Sequence, residues 1–451
     1  KWLVYGSRYE EKTGLRVRKL ATGDERWLAY PTQRDEMESR APLDALPGMS
    51  FTPDSKELIA SYANKIWRVA IDGSGQTEIP FRVQAAIEAG PELAFKYPIS
   101  DSAQFTVRQI RDAVPSPDGK QLAFIALEKL HVMDYPGGTP RRVSTLNMIE
   151  SEPAWSPDGK RLAFVSERSG TDPDRTNNAD LYVVDAAPGA TPVKLTTWSG
   201  PDANPVWSPD GQSIAYLQGS EPQLSAYSQN TIAVVPSAGG AARLVAASLD
   251  RDVSGLTWTT DGTALRFLLG DDRAAHLATV PVSGGVVTRL LDGRRAVSSY
   301  DASSTGRVVL NTATATRSSE VFAFENGALR ALTHVNDSIF TALSLGTTED
   351  VQFKNKDGLT VGALLVKPAG FDASKKYPLM LRIHGGPNGQ DQHAFSFERE
   401  LFAANGYLVL AVNYRGSSGR GQAWKKAIFA DWGNKDGQDV RGAVDYLIAQ
   451  G

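Results

Sequence analysis

Apolar and polar positions alternate over short runs for about three quarters of the chain, and one phrase keeps returning. Phe51-Thr-Pro-Asp-Ser-Lys-Glu-Leu-Ile-Ala60 recurs as Pro115-Ser-Pro-Asp-Gly-Lys-Gln-Leu-Ala-Phe124, and again from Trp155 to Phe164 and from Trp207 to Tyr216. A worn copy runs from Trp258 to Phe267. The aspartates at 54, 118, 158, 210 and 261 lie 64, 40, 52 and 51 residues apart, a repeat with insertions. Ser-Pro-Asp-Gly is a turn: Pro sets φ, Asp binds backbone amides and Gly accepts positive φ. A strand such as Leu162–Val165 follows it. A second strand comes later, as at Leu130–Asp134, Leu181–Asp185 and Ile232–Val235. After a turn, usually glycine-rich, comes a basic-apolar strand, as at Pro140–Ser144, Pro192–Thr196 and Ala242–Val245.

Three to four antiparallel strands per ~40–50 residues is the unit of a β-propeller blade. Six units are visible, the last a degenerate Ser298–Thr333, and Lys1–Leu28 supplies the tail strands of one more. The expectation is a TolB/WD40-like β-propeller of about seven blades over residues 1–335, its first blade short on the N-terminal side. Asp118, Asp158 and Asp210 are assigned to turns; Trp155, Trp207 and Trp258, once per repeat, to the packing between blades. Phe81–Asp112 breaks the rhythm as an excursion between blades. Asp172–Asp180 lacks the Gly and terminal Glu of a calcium loop and is expected to be a solvated hairpin tip. Glu150 and Glu152 admit two readings, a solvated blade edge or a peptide-amine anchor.

The pattern changes after Thr333. Val351–Lys367 reads as two antiparallel strands about Asp357-Gly358, Tyr377–Ile383 and Tyr407–Val412 as apolar strands, and Phe395–Asn405 and Asp436–Gln450 as helices. Strands alternating with helices imply a parallel, doubly wound sheet over residues 350–451. Composition then narrows the choices. Of 451 residues, 48 are Lys or Arg and 51 Asp or Glu, a net charge of −3 that argues against nucleic acid as a partner. No apolar run approaches the ~20 residues of a membrane span. Cysteine is absent, which removes disulfides, thiolate metal sites and cysteine nucleophiles. No metal or cofactor is expected. The first residue is Lys1, so a leader or an earlier start is expected upstream. Compartment stays open between cytoplasm, periplasm and secretion, and oligomeric state is not legible.

The blades followed by Tyr377-Pro, His384-Gly-Gly-Pro387, Asn413-Tyr-Arg-Gly-Ser-Ser-Gly-Arg-Gly421, Asp431-Trp-Gly433 and Lys435-Asp436…Asp439 resemble the prolyl oligopeptidase family of serine peptidases, in its dipeptidyl-aminopeptidase and acylaminoacyl-peptidase branch. The resemblance implies a propeller capping an α/β-hydrolase domain that cleaves short peptides by Ser-His-Asp acyl transfer. Gly-x-Ser-x-Gly, the nucleophile elbow of such domains, does not occur here. The expectation is that Ser, Asp and His of the triad lie beyond residue 451, that residues 1–451 alone are inactive, and that the C-terminal part is the first half of its domain. On that view Leu408–Val412 would lack a neighbour and covering helices, and the unpaired edge would promote association.

By the same resemblance, His384-Gly385-Gly386 ends a strand where α/β-hydrolases donate a backbone N–H to the oxyanion. Gly386 is the first choice of donor and Gly385 the second. His384, Tyr414 and Arg415 lie beside the site: His384 positions the loop, and Arg415 either ties it or meets a substrate carboxylate, the tie being preferred. Asp431, Asp436 and Asp439 are helix-start and loop supports. Two other readings stay open, a non-catalytic propeller scaffold and an esterase or amidase of small molecules.

Overall fold

The structure, a computed structural model, describes residues 1–9, 12–34, 48–86, 102–144, 147–167, 176, 178–220, 224 and 227–451. The middle of the Phe81–Asp112 excursion and most of the Asp172–Asp180 loop lie outside these residues. The chain divides into two compact units, Lys1–Asp101 and Ser102–Gly451.

The first unit holds two antiparallel sheets. One orders Trp2–Tyr9, Lys12–Lys19 and Glu25–Arg34; the other orders Met49–Phe51, Glu57–Tyr62, Lys65–Ala70 and Gln76–Ile79. Leu58, Ala60 and Tyr62 alternate inward from Glu57–Tyr62, as a two-residue period requires, and share a core with Leu15 and Val17.

In the second unit, four-stranded meanders begin at Ile110–Pro115, Glu150–Trp155 and Asp202–Trp207. An eight-stranded sheet follows, in which Asp252–Trp258 starts one meander and Ala296–Ala302 the next, joined by one parallel bridge between Ala275 and Ala296. The repeated turns close on themselves. Ser116 Oγ donates to Asp118 at 2.7 Å, Asp118 accepts from Lys120 N at 3.1 Å, and Ser116 Oγ accepts from Gln121 N at 2.9 Å. The same three bonds recur at Ser156-Asp158 and Ser208-Asp210.

The tryptophans join each meander to the one before. Trp155, Trp207 and Trp258 donate their indole N–H to the carbonyls of Val114, Ala154 and Val206, at 3.1, 3.0 and 3.0 Å. Each first strand also carries a β-bulge, with positive φ at Asp112, Glu152, Asn204 and Gly255. Glu152 N donates to the Asp112 carboxylate, and Asn204 N to that of Glu152. Glu150 is buried and accepts from Leu130 N at 2.8 Å. Glu150 is therefore not on a solvated edge, while Glu152 is half-buried, and both carboxylates tie backbone N–H groups. Asp180 and Asp202 are fully buried. Asp180 meets Lys194 Nζ at 2.5 Å, whereas both carboxyl oxygens of Asp202 lack a hydrogen-bond partner among the described residues. Burial pushes Asp202 up to about 7.

The last sheet orders Thr347–Lys354, Thr360–Lys367, Leu408–Asn413 and Leu379–Arg382. The first two pairings are antiparallel and the third is parallel, so the sheet is mixed and not wholly parallel. Leu408–Asn413 is a central strand with a partner on each side, which corrects the expectation of an unpaired edge there; the edges are Thr347–Lys354 and Leu379–Arg382. A helix covers each face. Phe397–Ala404, capped by Ser396 through Arg399 N, lays Ala403 on Val366 and Val409. Lys435–Gln450 lays Val440, Ala443, Tyr446 and Leu447 on Phe353, Val361 and Val412. This double cover explains why Val361–Val366 and Val409–Val412 are apolar and buried almost without alternation.

Candidate active site

Two loops leave the ends of the parallel pair side by side. One runs from His384 to His393, after Leu379–Arg382; the other runs from Tyr414 to Gly421, after Leu408–Asn413. Asn413 ties them with a reciprocal pair of bonds to the backbone of Asp391, 2.8 and 3.0 Å long. Ser418 N adds a bond to Gly389 O at 2.9 Å.

Both loops are also fixed to the meanders of the same unit. Arg273 N donates to Gln390, and His393 N donates to Arg273 O. Asp350 holds Arg273 at 2.8 Å, Arg294 at 2.9 Å and His393 at 3.0 Å. Lys425 reaches Asp252 at 2.7 Å, Gly419 N donates to the same carboxylate, and Gln422 N donates to Asp250. Gly421 has φ +92°, and a Cβ there would lie 2.1 Å from the Asp250 carboxylate. Only glycine lets these chains approach so closely.

His384 is 8 % exposed and makes a bond from each ring nitrogen. Nδ1 lies 3.0 Å from Gly385 O and Nε2 lies 2.8 Å from Ser417 Oγ. The Tyr414 ring stacks on the imidazole at 4.6 Å and 15°, and its hydroxyl donates to His384 O. Burial holds His384 below the ordinary histidine range, so the ring is neutral at pH 7. Burial likewise raises the Tyr414 hydroxyl.

Gly385 and Gly386 behave differently from their surroundings. Both are exposed, and neither N–H donates a hydrogen bond among the described residues. Gly386 has φ +128°, and a Cβ on it would sit 2.9 Å from Gly389 N; a Cβ on Gly385 would meet nothing within 4 Å. The loop borders an open depression of about 480 Å³ lined by Arg382, Ile383, His384, Gly385 and Glu398. Two unreturned N–H groups on exposed glycines after a strand, Gly385 on the lining of that depression and Gly386 next to it, can stabilise an anionic oxygen.

Arg415 points away from this depression. Its guanidinium holds Asp439 through two bonds of 2.9 Å, reaches Asp357, and donates to Lys435 O at 3.2 Å; its own N–H also donates to Asp439. Burial opposes the charge, but the bonds to Asp439 and Asp357 outweigh it and leave the guanidinium raised. Asp439 is fully buried and also accepts from Asn355. Asp431 accepts from Asn434, and Asp436 accepts from Gly433 N.

Sequence reasoning missed Ser417. It is fully buried and at nucleophile-to-base distance from His384, yet it has no access to substrate, and His384 Nδ1 faces a carbonyl where a triad would place a carboxylate. Among the described residues, no group of three or more His, Asp or Glu side chains is placed to hold a metal ion, and no helix is long and apolar enough to cross a membrane.

Residues 393–451 match the profile of the prolyl oligopeptidase family. The chain is 28 % identical to dipeptidyl-peptidase 5 of Porphyromonas gingivalis over 312 residues, 65 % of this chain and 43 % of that protein. It is 30 % identical to dipeptidyl-peptidase 5 of Schizosaccharomyces pombe over 262 residues, 56 % and 37 % of the two chains. These matches span less than half the length of the relatives. Among solved structures, the acylaminoacyl peptidase of Pyrococcus horikoshii superposes with a TM-score of 0.64 at 18 % identity, over 100 % of this chain and 69 % of that one. That likeness is one of fold.

Proposed function

We propose, from the match of residues 393–451 to the prolyl oligopeptidase family profile, that the protein is a serine hydrolase of short peptides, cleaving aminoacyl, dipeptidyl or acyl-aminoacyl bonds. The observation that carries this reading is the pair of unreturned N–H groups at Gly385 and Gly386, beside the neutral His384. The name of the sequence relatives, dipeptidyl-peptidase 5, points to the same class of bond. In this reading a serine hydroxyl attacks the scissile carbonyl and a histidine takes its proton. An aspartate orients that histidine, and Gly386 N–H, assisted by Gly385 N–H, holds the developing oxyanion. One such donor contributes about 2.7–4 kcal/mol to the transition state. The serine, histidine and aspartate are assigned to sequence beyond residue 451, since Gly-x-Ser-x-Gly is absent from the 451 residues.

The fold reading goes with it. Residues 1–335 are assigned to a propeller of about seven blades, supported by seven successive antiparallel strand groups. Residues 350–451 are assigned to the first part of an α/β-hydrolase domain. The propeller would restrict access to short peptides. Labelling of the full-length protein with a fluorophosphonate, followed by peptide mapping, tests the reading. One labelled serine outside residues 1–451 and turnover of dipeptidyl or acyl-aminoacyl chromogenic substrates are expected. Labelling at Ser417 would refute the assignment of roles. Turnover of esters alone would make the protein an esterase, and no labelling would leave a scaffold.

A further inference from the structure

We infer that Ser417 is a positioning residue for the oxyanion donor: through His384 it locks the Gly385–Gly386 peptide with its N–H turned away from the buried ring, toward the exposed side of the loop. The inference rests on the reading of Gly386 as that donor. The argument runs through hydrogen-bond polarity. Gly385 O can only accept, so the proton on the neutral His384 ring stands on Nδ1, 3.0 Å away. A neutral imidazole has one N–H, so Nε2 presents a lone pair, and the Ser417 hydroxyl at 2.8 Å donates to it.

Ser417 is fully buried and has no other side-chain partner among the described residues, so this bond satisfies its hydroxyl and selects the tautomer together. Ser417 is itself held by its backbone. Its N–H donates to Tyr414 O at 3.0 Å, and the next N–H donates to Gly389 O on the opposite loop. Tyr414 covers the imidazole face, so the ring is fixed by its plane and by both nitrogens.

The consequence passes to the peptide bond. In a trans peptide the C=O and the following N–H point in opposite directions. Gly385 O is drawn toward the buried ring, so Gly386 N–H points the other way, where both glycines are exposed. With the proton on Nε2 instead, two lone pairs would face each other at Nδ1 and Gly385 O, and the peptide would be free to rotate. A pair with the spacing of a nucleophile and its base thus serves as a latch.

The test combines spectroscopy and kinetics on the full-length protein. The 451 residues contain only five histidines, which favours ¹⁵N-histidine labelling. In the wild type the His384 imidazole should show a protonated Nδ1 and a bare Nε2; a protonated Nε2 would overturn the inference whatever the activity. Ser417→Ala should mix the tautomers and lower kcat by about 10- to 100-fold with KM changed less than about twofold, the cost of a misplaced donor. Asn places its amide where Nδ1 stands and Gln where Nε2 stands, so His384→Asn should retain more kcat than His384→Gln. The reverse order, or a Ser417→Ala enzyme with unchanged kcat in an active wild-type background, would contradict the latch. A wild type without turnover would instead refute the hydrolase reading, and the latch's catalytic role with it.

Discussion

The repeated turns of the meanders and the paired loops at His384 and Tyr414 are both built from Ser, Gly and Pro, yet they spend their hydrogen bonds differently. In a turn such as Ser156–Arg161, the donors and acceptors close within six residues. In the paired loops the partners lie 22 to 33 residues apart, as in Asn413 with Asp391 and His384 with Ser417, and two N–H groups are left over. Local closure needs nothing from outside and marks a structural element. Long-range closure around unreturned donors marks a place prepared for another molecule.

The contrast can be broken most severely at Arg415. Arg415→Ala would strand the buried Asp439 carboxylate with only Asn355 and a backbone N–H. We expect a loss of about 3–5 kcal/mol in denaturant unfolding. A loss below about 1 kcal/mol would mean that the loops do not depend on this long-range tie.

A smaller effect is expected at Asp202. Its folded pKa of about 7 stands above the ordinary carboxylate value, so the fold binds a proton that the unfolded chain releases between about pH 4 and 7. That contribution is complete below the unfolded value and is lost as pH rises through the folded one. Asp202→Asn, a neutral stand-in for the acid, should gain on the wild type by about 1 kcal/mol or more at pH 8 and little at pH 4. Thermal melts at the two pH values check this, and equal differences at both would show a carboxylate that is not protonated in the fold.

The smallest effect belongs to the turns. Asp158 is exposed and its bonds are local, so Asp158→Ala should cost only about 0.5–1.5 kcal/mol and leave substrate turnover unchanged. A large change in kcat there would erase the distinction between the two regions.

The same difference decides what the sequence could disclose. The Ser-Pro-Asp-Gly turns, the tryptophan spacing and the helices at Phe397–Ala404 and Lys435–Gln450 follow from residues close together in the chain, and they stand where the pattern puts them. The candidate donors at Gly385 and Gly386 were marked by a short glycine motif after a strand. The Ser417–His384 bond was hidden, because it joins two strand ends that become neighbours only through parallel pairing. The central place of Leu408–Asn413 was hidden for a related reason. Thr360–Lys367 pairs with it across an intervening strand and helix, an order that hydrophobic periodicity does not encode. The roles of Glu150 and Glu152 were missed because a bulge turns charged side chains onto backbone N–H groups.

The central claim is that the Gly385–Gly386 segment receives an oxyanion. A crystal structure of the full-length protein with a peptidyl boronate on its nucleophilic serine tests it most directly. The account predicts a boronate oxygen within about 2.7–3.1 Å of Gly386 N, with His384 still bonded to Ser417. A boronate oxygen held by other donors, with Gly386 N–H turned away, would contradict it.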